Sequence, residues 1–233
     1  MAASWRGRPL EGVLFDLDGT LLDTAADIAT ALNRAFKDHG WSPVPPGDVR
    51  RMIGRGSPML IERAAMAQGC TAGEAEKAAV LDSFFRHYGY LEESGDFEAQ
   101  PYSGTEECLR TLHRAGLRAG VVTNKHERFA RGLLEQLSLS PLIDCVVGGD
   151  SFERRKPDPG PLLFACDLLK VSAARVLMVG DSTNDVQAAR AAHIPVICVP
   201  YGYNEGRDPY ELPCDAFIET LAELPDLIMP STP

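Results

Sequence analysis

Short apolar segments alternate with helical patterns along this chain, and the alternation constrains the fold more than any other feature. Five apolar segments, at residues 12–17, 118–123, 142–147, 175–179 and 194–199, have the length and composition of buried strands. Helical patterns lie between them, at about 104–116, 126–138, 160–170 and 184–193. Strands that alternate with helices predict an α/β fold, a doubly wound, Rossmann-like parallel sheet with helices on both faces.

Residues 24–95 interrupt this alternation. They contain helical patterns at 25–39, 48–53, 57–68 and 72–91 and no convincing strand, and Pro43-Val-Pro-Pro46 separates the first two helices. We therefore predict that residues 1–23 and 96–233 form an α/β catalytic core, and that residues 24–95 form a helical cap domain inserted after the first strand. The return linker is expected at about 94–103.

Charge and composition exclude several classes of partner. The 233 residues carry a net charge of −10, which disfavours nucleic acid and anionic membrane surfaces as partners. No stretch approaches the roughly 20 apolar residues of a membrane span, and the first residues do not resemble a signal peptide. The six cysteines are scattered without a C-x-x-C pair, so we expect reduced thiols and a cytoplasmic protein. A monomer or a homodimer is the expected assembly.

Polar residues follow four of the predicted strands. The four sets are Asp16-Leu17-Asp18-Gly19-Thr20, Thr123-Asn124-Lys125, Arg154-Arg155-Lys156 and Gly180-Asp181-Ser182-Thr183-Asn184-Asp185. Parallel sheets place ligands beyond the carboxyl ends of their strands, so all four sets are expected at one edge of the sheet.

The chemistry of these sets indicates phosphoryl transfer. Four carboxylates, on Asp16, Asp18, Asp181 and Asp185, would repel one another unless a cation compensates them. Mg²⁺ binds such carboxylates and bridges to phosphate oxygens. Lysine, threonine and backbone N–H groups beside them complete a site that can bind a small phosphorylated metabolite. The two acids of an Asp-x-Asp pair can divide the work, one attacking phosphorus and the other carrying protons.

The motifs resemble a known family. Phe15-Asp-Leu-Asp-Gly-Thr-Leu-Leu-Asp-Thr24, Thr123-Asn124, Lys156-Pro157 and Gly180-Asp-Ser-Thr-Asn-Asp185 are similar, in order and spacing, to the four motifs of the haloacid dehalogenase-like superfamily. The resemblance covers nearly the whole chain. It implies a hydrolase with a mobile cap that closes over the substrate and excludes water.

The resemblance also implies a role for each motif residue. Asp16 would be the nucleophile, and Asp18 would serve as general acid and then as base. The phosphoryl group would be held by Thr123, Asn124 and Lys156. The residues implied for Mg²⁺ are Asp16, Asp181, the backbone carbonyl of Asp18 and, indirectly or through water, Asp185.

Within the superfamily the chain looks most like the phosphoglycolate phosphatases. The similar segments are Asp23-Thr-Ala-Ala-Asp27, Met52-Ile-Gly-Arg-Gly56 and Val199-Pro-Tyr-Gly-Tyr-Asn-Glu-Gly206. The implied reaction converts 2-phosphoglycolate to glycolate and phosphate through an aspartyl-phosphate. Because a guanidinium matches a carboxylate with two parallel hydrogen bonds, Arg55 in the cap is the expected carboxylate receptor.

Other functions stay open at this point. Sugar phosphates, nucleoside monophosphates and pyrophosphate are alternative substrates, and a non-catalytic module that binds a phosphate ligand is an alternative of another class. Asp18 disfavours a dehalogenase, whose members lack an acid there. Ile28 disfavours a mutase, whose members carry a histidine there.

Several of these residues also have purely structural explanations. Ser182 and Asp185 fit a capping box at the start of a helix. Thr123 is a suitable helix cap, and Lys156 and Arg55 are suitable solvated surface cations.

Overall fold

A computed structural model describes residues 3–229 of the chain. The strands in this part of the chain are β1 (Ser4–Trp5), β2 (Arg8–Pro9), β3 (Gly12–Phe15), β4 (Leu22–Asp23), β5 (Gln100–Pro101), β6 (Arg118–Val122), β7 (Cys145–Val147), β8 (Val176–Gly180), β9 (Val196–Cys198) and β10 (Ala216–Phe217). The α-helices there are α1 (Ala25–Asp38), α2 (Pro46–Met52), α3 (Ser57–Ala67), α4 (Glu74–Ser94), α5 (Thr105–Arg114), α6 (Glu127–Gln136), α7 (Gly160–Leu169), α8 (Thr183–Ala191) and α9 (Glu223–Ile228).

Six of the strands form one parallel sheet, in the order β10-β9-β8-β3-β6-β7. This arrangement confirms the predicted α/β fold. The first strand of the sheet, β3, lies in its centre, and Phe15 at its end is opposite Val121 of β6 and Val179 of β8. The chain builds the sheet to one side of β3 and then to the other. The point where the direction changes is the place where ligands bind in folds of this kind.

Both faces of the sheet are covered by helices. Side chains of a strand alternate between faces, so Val13 and Phe15 enter the cluster under α5, α6 and α9, whereas Leu14 enters the cluster under α7 and α8. All four residues of β3 are buried, as expected of a central parallel strand. The end of β3 is therefore a rigid base for the polar residues that follow it.

Helices α1–α4 pack around a hydrophobic cluster of their own. The inward face of α1 carries Ile28, Leu32, Ala35 and Phe36, with the spacing of one helix face. The strands β4 and β5 pair antiparallel where the chain enters and leaves this helical segment. The division of the chain at residues 24 and 95 stays a prediction.

Most predicted elements occur within a few residues of their expected positions. Two strands have half the expected length. Ser140–Leu142 forms a 3₁₀ turn, so β7 begins at Cys145, and β9 covers Val196–Cys198 alone. The strands β1, β2, β4, β5 and β10 were not predicted; each has two residues, too few for a periodic pattern. No helix within residues 3–229 combines the length and the apolar character needed to cross a membrane.

Candidate active site

The polar residues that follow the central strands meet at one edge of the sheet. Asp16 directly follows β3, Thr123 follows β6 and Asp181 follows β8. Lys156 comes from the loop between β7 and α7, and its side chain reaches back to the same edge, where its ammonium group donates to the carbonyl oxygen of Val122 at 2.6 Å. The structure thus brings together residues from all four motifs.

Lys156 links two carboxylates. Its Nζ atom lies 3.0 Å from Asp16 Oδ1 and 2.6 Å from Asp185 Oδ1. Burial alone would lower the pKa of Lys156, but attraction to these two carboxylates outweighs burial and raises the pKa to about 12. Burial raises the pKa of Asp16 well above its ordinary value, Lys156 opposes this, and the nearby acids add to it. Lys156 is therefore a permanent positive charge at the bottom of the site.

Asp16 has one occupied and one available oxygen. Oδ1 accepts a hydrogen bond from the backbone N–H of Leu17 at 2.7 Å, in addition to its contact with Lys156. Among residues 3–229, Oδ2 has no hydrogen-bond donor. An ionised carboxylate with one oxygen fixed and the other available has the chemistry of an oriented nucleophile.

Asp185 is held by hydrogen bonds on both oxygens. Oδ2 accepts from the backbone N–H of Ser182 at 3.0 Å and from its hydroxyl at 2.6 Å, whereas Oδ1 receives Lys156. Asp185 therefore forms the capping box of α8 and also orients the lysine. Because its oxygens are already engaged, an indirect role toward a metal suits it better than direct ligation.

Asp181 is a buried carboxylate whose hydrogen-bond donors within residues 3–229 are all neutral. Oδ1 accepts from the hydroxyl of Thr20 and Oδ2 from the backbone N–H of Tyr203, both at 2.7 Å. Burial and then the charge of Asp185 raise the pKa of Asp181 to about 6. Within residues 3–229 no cationic side chain forms a salt bridge with it.

These carboxylates fit a divalent cation. One oxygen of Asp16, one of Asp181 and one of Asp185 lie within 4.8 Å of one another. Three negative charges share a single ammonium group, that of Lys156, so the cluster has an excess of negative charge when ionised. Carboxylate oxygens are the ligands that Mg²⁺ prefers.

Asp18 is held by two side chains of its own. Its Oδ1 accepts from the hydroxyl of Thr24 at 2.6 Å and lies 3.1 Å from Lys125 Nζ. Burial alone would lower the pKa of Lys125, but Asp18 and Tyr88 together outweigh burial and raise it. Asp16 and Asp18 therefore each form a salt bridge with a different lysine, so the two carboxylates have different electrostatic environments.

A cavity of about 40 Å³, partly open to solvent, lies between the helices α1–α4 and the sheet edge. The core contributes the polar lining residues Asp16, Asp18, Thr123, Asn124 and Lys125. The helical segment contributes apolar side chains, among them Ile28, Leu60 and Phe84, and the polypeptide around Gly54, Gly56 and Ser57. Both acids of the Asp-x-Asp pair thus line the same cavity.

Thr123 and Asn124 lie at this cavity with their side chains already in use. The Thr123 hydroxyl accepts from the backbone N–H of Lys125 at 3.2 Å. The amide nitrogen of Asn124 donates to the carbonyl oxygens of Gly54 and Lys156, at 2.9 and 3.0 Å. Asn124 therefore joins the helical segment to the core.

Arg55 lies outside the cavity lining. Its Nε donates to Glu205 Oε1 at 2.9 Å, and Arg63 Nη2 reaches the same oxygen at 2.8 Å. The side chain of Arg55 is 44% exposed, against 12% for Glu205. Its role as a carboxylate receptor stays a prediction, since the structure pairs it with an acid of the core.

The loop around Gly202 packs against Asp181. A Cβ atom at Gly202 would lie 2.2 Å from Asp181 Cβ, so only glycine allows this approach. The hydroxyl of Tyr201 donates to the carbonyl of Thr20, and that of Tyr203 to Asp23. The two tyrosines brace the loop after β3.

Sequence reasoning did not assign four residues of the site: Thr20, Tyr88, Lys125 and Glu205. Lys125 directly follows Thr123-Asn124, and a search for a counter-charge to Asp18 would have found it. Thr20 belongs to the first motif. Tyr88 and Glu205 carry no local signal, because their partners are distant in sequence.

Comparison with known proteins identifies the relatives of this chain. The sequence pattern of the haloacid dehalogenase-like hydrolases matches residues 13–199. A phosphoglycolate phosphatase of Nitrosospira multiformis is 43% identical over 224 residues, which cover 96% of this chain and 98% of the relative. A plasmid phosphoglycolate phosphatase of Cupriavidus necator is 43% identical over 223 residues, or 96% and 95% of the two chains.

A solved structure shares the fold. The crystal structure of a predicted phosphoglycolate phosphatase from Haemophilus somnus 129pt has a TM-score of 0.85 and 28% identity to this chain. The similarity covers 92% of this chain and 96% of that one, so it includes the sheet and the helical segment.

Proposed function

This chain belongs to the haloacid dehalogenase-like hydrolase family and is a phosphoric monoester hydrolase, and from that membership we propose that its substrate is 2-phosphoglycolate. The products are glycolate and inorganic phosphate. The observation that carries the proposal is the shared cavity of Asp16 and Asp18, with Thr123 and Lys125 on the same lining. Relatives named phosphoglycolate phosphatase support the choice of substrate.

In the first step Asp16 acts as nucleophile. A carboxylate oxygen of Asp16 forms a bond to phosphorus while the bond from phosphorus to the glycolate oxygen breaks, which leaves an aspartyl-phosphate. Asp18 gives its proton to the departing oxygen, so glycolate leaves as an alcohol. The contacts of Thr24 and Lys125 with Asp18 hold the proton carrier in place.

In the second step water hydrolyses the aspartyl-phosphate. Asp18, now ionised, takes a proton from the water as its oxygen bonds to phosphorus. The bond from phosphorus to the Asp16 oxygen breaks, which releases phosphate and restores the carboxylate. Lys156 stays charged throughout and offsets the negative charge that gathers near Asp16.

We propose Mg²⁺ as the cofactor, bound by Asp16, Asp181 and the backbone carbonyl of Asp18, with Asp185 in support. When bound, it supplies positive charge that neutralises the phosphoryl oxygens. The excess negative charge of the cluster and the absence of any salt bridge to Asp181 within residues 3–229 support this assignment.

The test is phosphate release from 2-phosphoglycolate, first with Mg²⁺ and then with EDTA. Ribose 5-phosphate, glucose 6-phosphate, AMP and pyrophosphate are compared in parallel. We expect 2-phosphoglycolate to have the highest kcat/KM, EDTA to abolish turnover, and Asp16→Asn to lose at least about 10³-fold in kcat. The matched control is Asp226→Asn, an exposed acid of α9.

Each contrary outcome removes a different part of the proposal. A higher kcat/KM for another phosphate would contradict the proposed substrate but not the proposed mechanism. Turnover by the Asp16→Asn variant would contradict the assignment of Asp16 as the nucleophile. Ligand binding without turnover under any metal would favour the non-catalytic binding module.

A further inference from the structure

We propose that Tyr88 and Lys125 bind the carboxylate of the substrate and so determine its specificity. This inference rests on the proposed function and deepens it, since it assigns the residues that recognise the part of the substrate that is not transferred. Tyr88 comes from α4 and Lys125 from the loop after β6, so the recognition site is made jointly by the helical segment and the core.

Lys125 supplies the charge. It is the only cationic side chain among the described residues that line the cavity, where Asp16 and Asp18 would repel an anion. The neighbouring lining residues Leu60 and Phe129 are apolar, and burial of an anion against them without a cation is strongly unfavourable. The ammonium group of Lys125 also lies 3.1 Å from Asp18 Oδ1, so a substrate carboxylate would share this one ionic partner with Asp18.

Tyr88 supplies an unused hydrogen-bond donor. Its side chain is 1% exposed, and its hydroxyl has no hydrogen-bond partner within residues 3–229. Lysine offers no acceptor, so the neighbouring Lys125 cannot receive a hydrogen bond from this hydroxyl, whereas a ligand oxygen would. Burial raises the pKa of this hydroxyl, which keeps the proton that it would donate.

The two groups are neighbours. Lys125 Nζ lies 4.5 Å from the centre of the Tyr88 ring, a cation–π contact that fixes the ammonium group beside the phenol. The start of α3, at Gly56 and Ser57, also lines the cavity and adds the partial positive charge of a helix N-terminus. An ammonium, a hydroxyl and a helix end together favour a small anion.

The size of the cavity agrees with a short carboxylate. On the scale on which one water occupies roughly 10–15 Å³, a volume of about 40 Å³ admits a group of a few atoms. A carboxymethyl group is within this size.

The experiment compares 2-phosphoglycolate with ethyl phosphate, which lacks the carboxylate. We expect Tyr88→Phe to reduce the ratio of their kcat/KM values at least about tenfold, as for a hydrogen bond to a charged group. Tyr88→Phe should also leave the substrate-free protein at least as stable in urea, because it removes an unpaired buried hydroxyl. The matched control is Tyr90→Phe on the same helix, where the tyrosine is 57% exposed and the ratio should not change.

A second arm isolates Lys125 from catalysis. In an Asp16→Asn background, calorimetry measures the affinities of both phosphates. Lys125→Met should weaken the binding of 2-phosphoglycolate at least tenfold more than the binding of ethyl phosphate. An unchanged ratio in Tyr88→Phe together with equal losses in Lys125→Met would overturn the inference while the proposed function stands. A wild-type enzyme that does not prefer 2-phosphoglycolate to ethyl phosphate would overturn both.

Discussion

Lys156 Nζ lies 2.6 Å from Asp185 Oδ1, and the two side chains are 1% and 0% exposed. A buried ion pair of this kind adds little net stability compared with an apolar pair, because desolvation offsets the attraction. Removal of one partner has a different consequence, since the remaining charge is left buried. The effect of this ion pair on stability is therefore best measured by removing one of its two partners.

Lys156→Met should destabilise the protein by about 3–5 kcal/mol, because Asp16 and Asp185 would lose their shared cation. Urea unfolding measures this loss. The control is Lys37→Met, at an exposed position of α1, which should change stability by less than about 0.5 kcal/mol. The double variant Lys156→Met/Asp185→Asn should regain part of the stability without regaining activity. A loss from Lys156→Met no greater than that of the control would contradict this account of the site.

Thr24→Val should lower kcat about tenfold or more. The substitution keeps the shape of a fully buried side chain but removes the 2.6 Å hydrogen bond that orients Asp18. We expect KM to change little, since the hydroxyl does not line the cavity. Steady-state kinetics test this prediction, with Thr30→Val in α1, the helix that Thr24 precedes, as control. If KM rises and kcat does not fall, Thr24 acts on binding and not on the proton carrier.

Mg²⁺ should raise the melting temperature of the wild type, and Asp181→Asn should remove this effect. A ligand at 100 times its Kd stabilises the folded state by about 2.7 kcal/mol. Asp181 has only neutral hydrogen-bond donors in the structure, so its charge is the one that most needs a cation. Thermal unfolding with Mg²⁺ and with EDTA provides a readout independent of turnover. Equal shifts in Asp181→Asn and in the exposed control Asp226→Asn would place the metal elsewhere.

The sequence predicted the sheet and the cluster of motifs because both depend on local patterns. A buried strand such as β3 is a short apolar run, and the acid that ends it, Asp16, is adjacent in sequence. Parallel strands then bring separate motifs to one edge without further information. The position of Lys156 near Asp16 follows from this topology.

Contacts that depend on side-chain packing could not be predicted in the same way. The helical pattern over 72–91 predicts the helix that carries Tyr88, but not that the Tyr88 hydroxyl lacks a partner within residues 3–229. Arg55 and Glu205 are 150 residues apart, and nothing local to either one predicts their ion pair. The two-residue strand β10 exists only because β9 is there to pair with it.

Gly202→Ala should destabilise the protein by about 1–3 kcal/mol or more and weaken the effect of Mg²⁺ on the melting temperature. The added Cβ would lie 2.2 Å from Asp181 Cβ, and a closely packed interior does not absorb such an overlap. The control is Gly47→Ala in α2, where the new methyl group meets no atom within 4 Å. That variant should be as stable as the wild type or slightly more so. A well-folded Gly202→Ala protein with an unchanged Mg²⁺ effect would show that the loop can move away from Asp181.

Arg55 offers a choice between two roles that kinetics can separate. If Arg55 receives the substrate carboxylate, Arg55→Ala should weaken the binding of 2-phosphoglycolate far more than the binding of ethyl phosphate. Its ion pair with Glu205 favours the other role, in which it holds the helical segment against the core. We therefore expect Arg55→Ala to raise KM for both phosphates by similar factors of about fivefold, the equivalent of roughly 1 kcal/mol for one partly exposed ion pair. Glu205→Gln, which also releases Arg63, should raise both KM values by at least as much.

The control for this pair is Arg34→Ala, which removes an exposed arginine of α1 that lies over the ring of Tyr90 in α4. It should leave both KM values unchanged, because a contact within the helical segment does not join that segment to the core. A selective loss of 2-phosphoglycolate in Arg55→Ala, absent from Glu205→Gln, would restore Arg55 as the carboxylate receptor. In that case Arg55 must leave Glu205 when substrate binds, and Glu205→Gln, which frees the guanidinium in advance, should then lower KM for 2-phosphoglycolate.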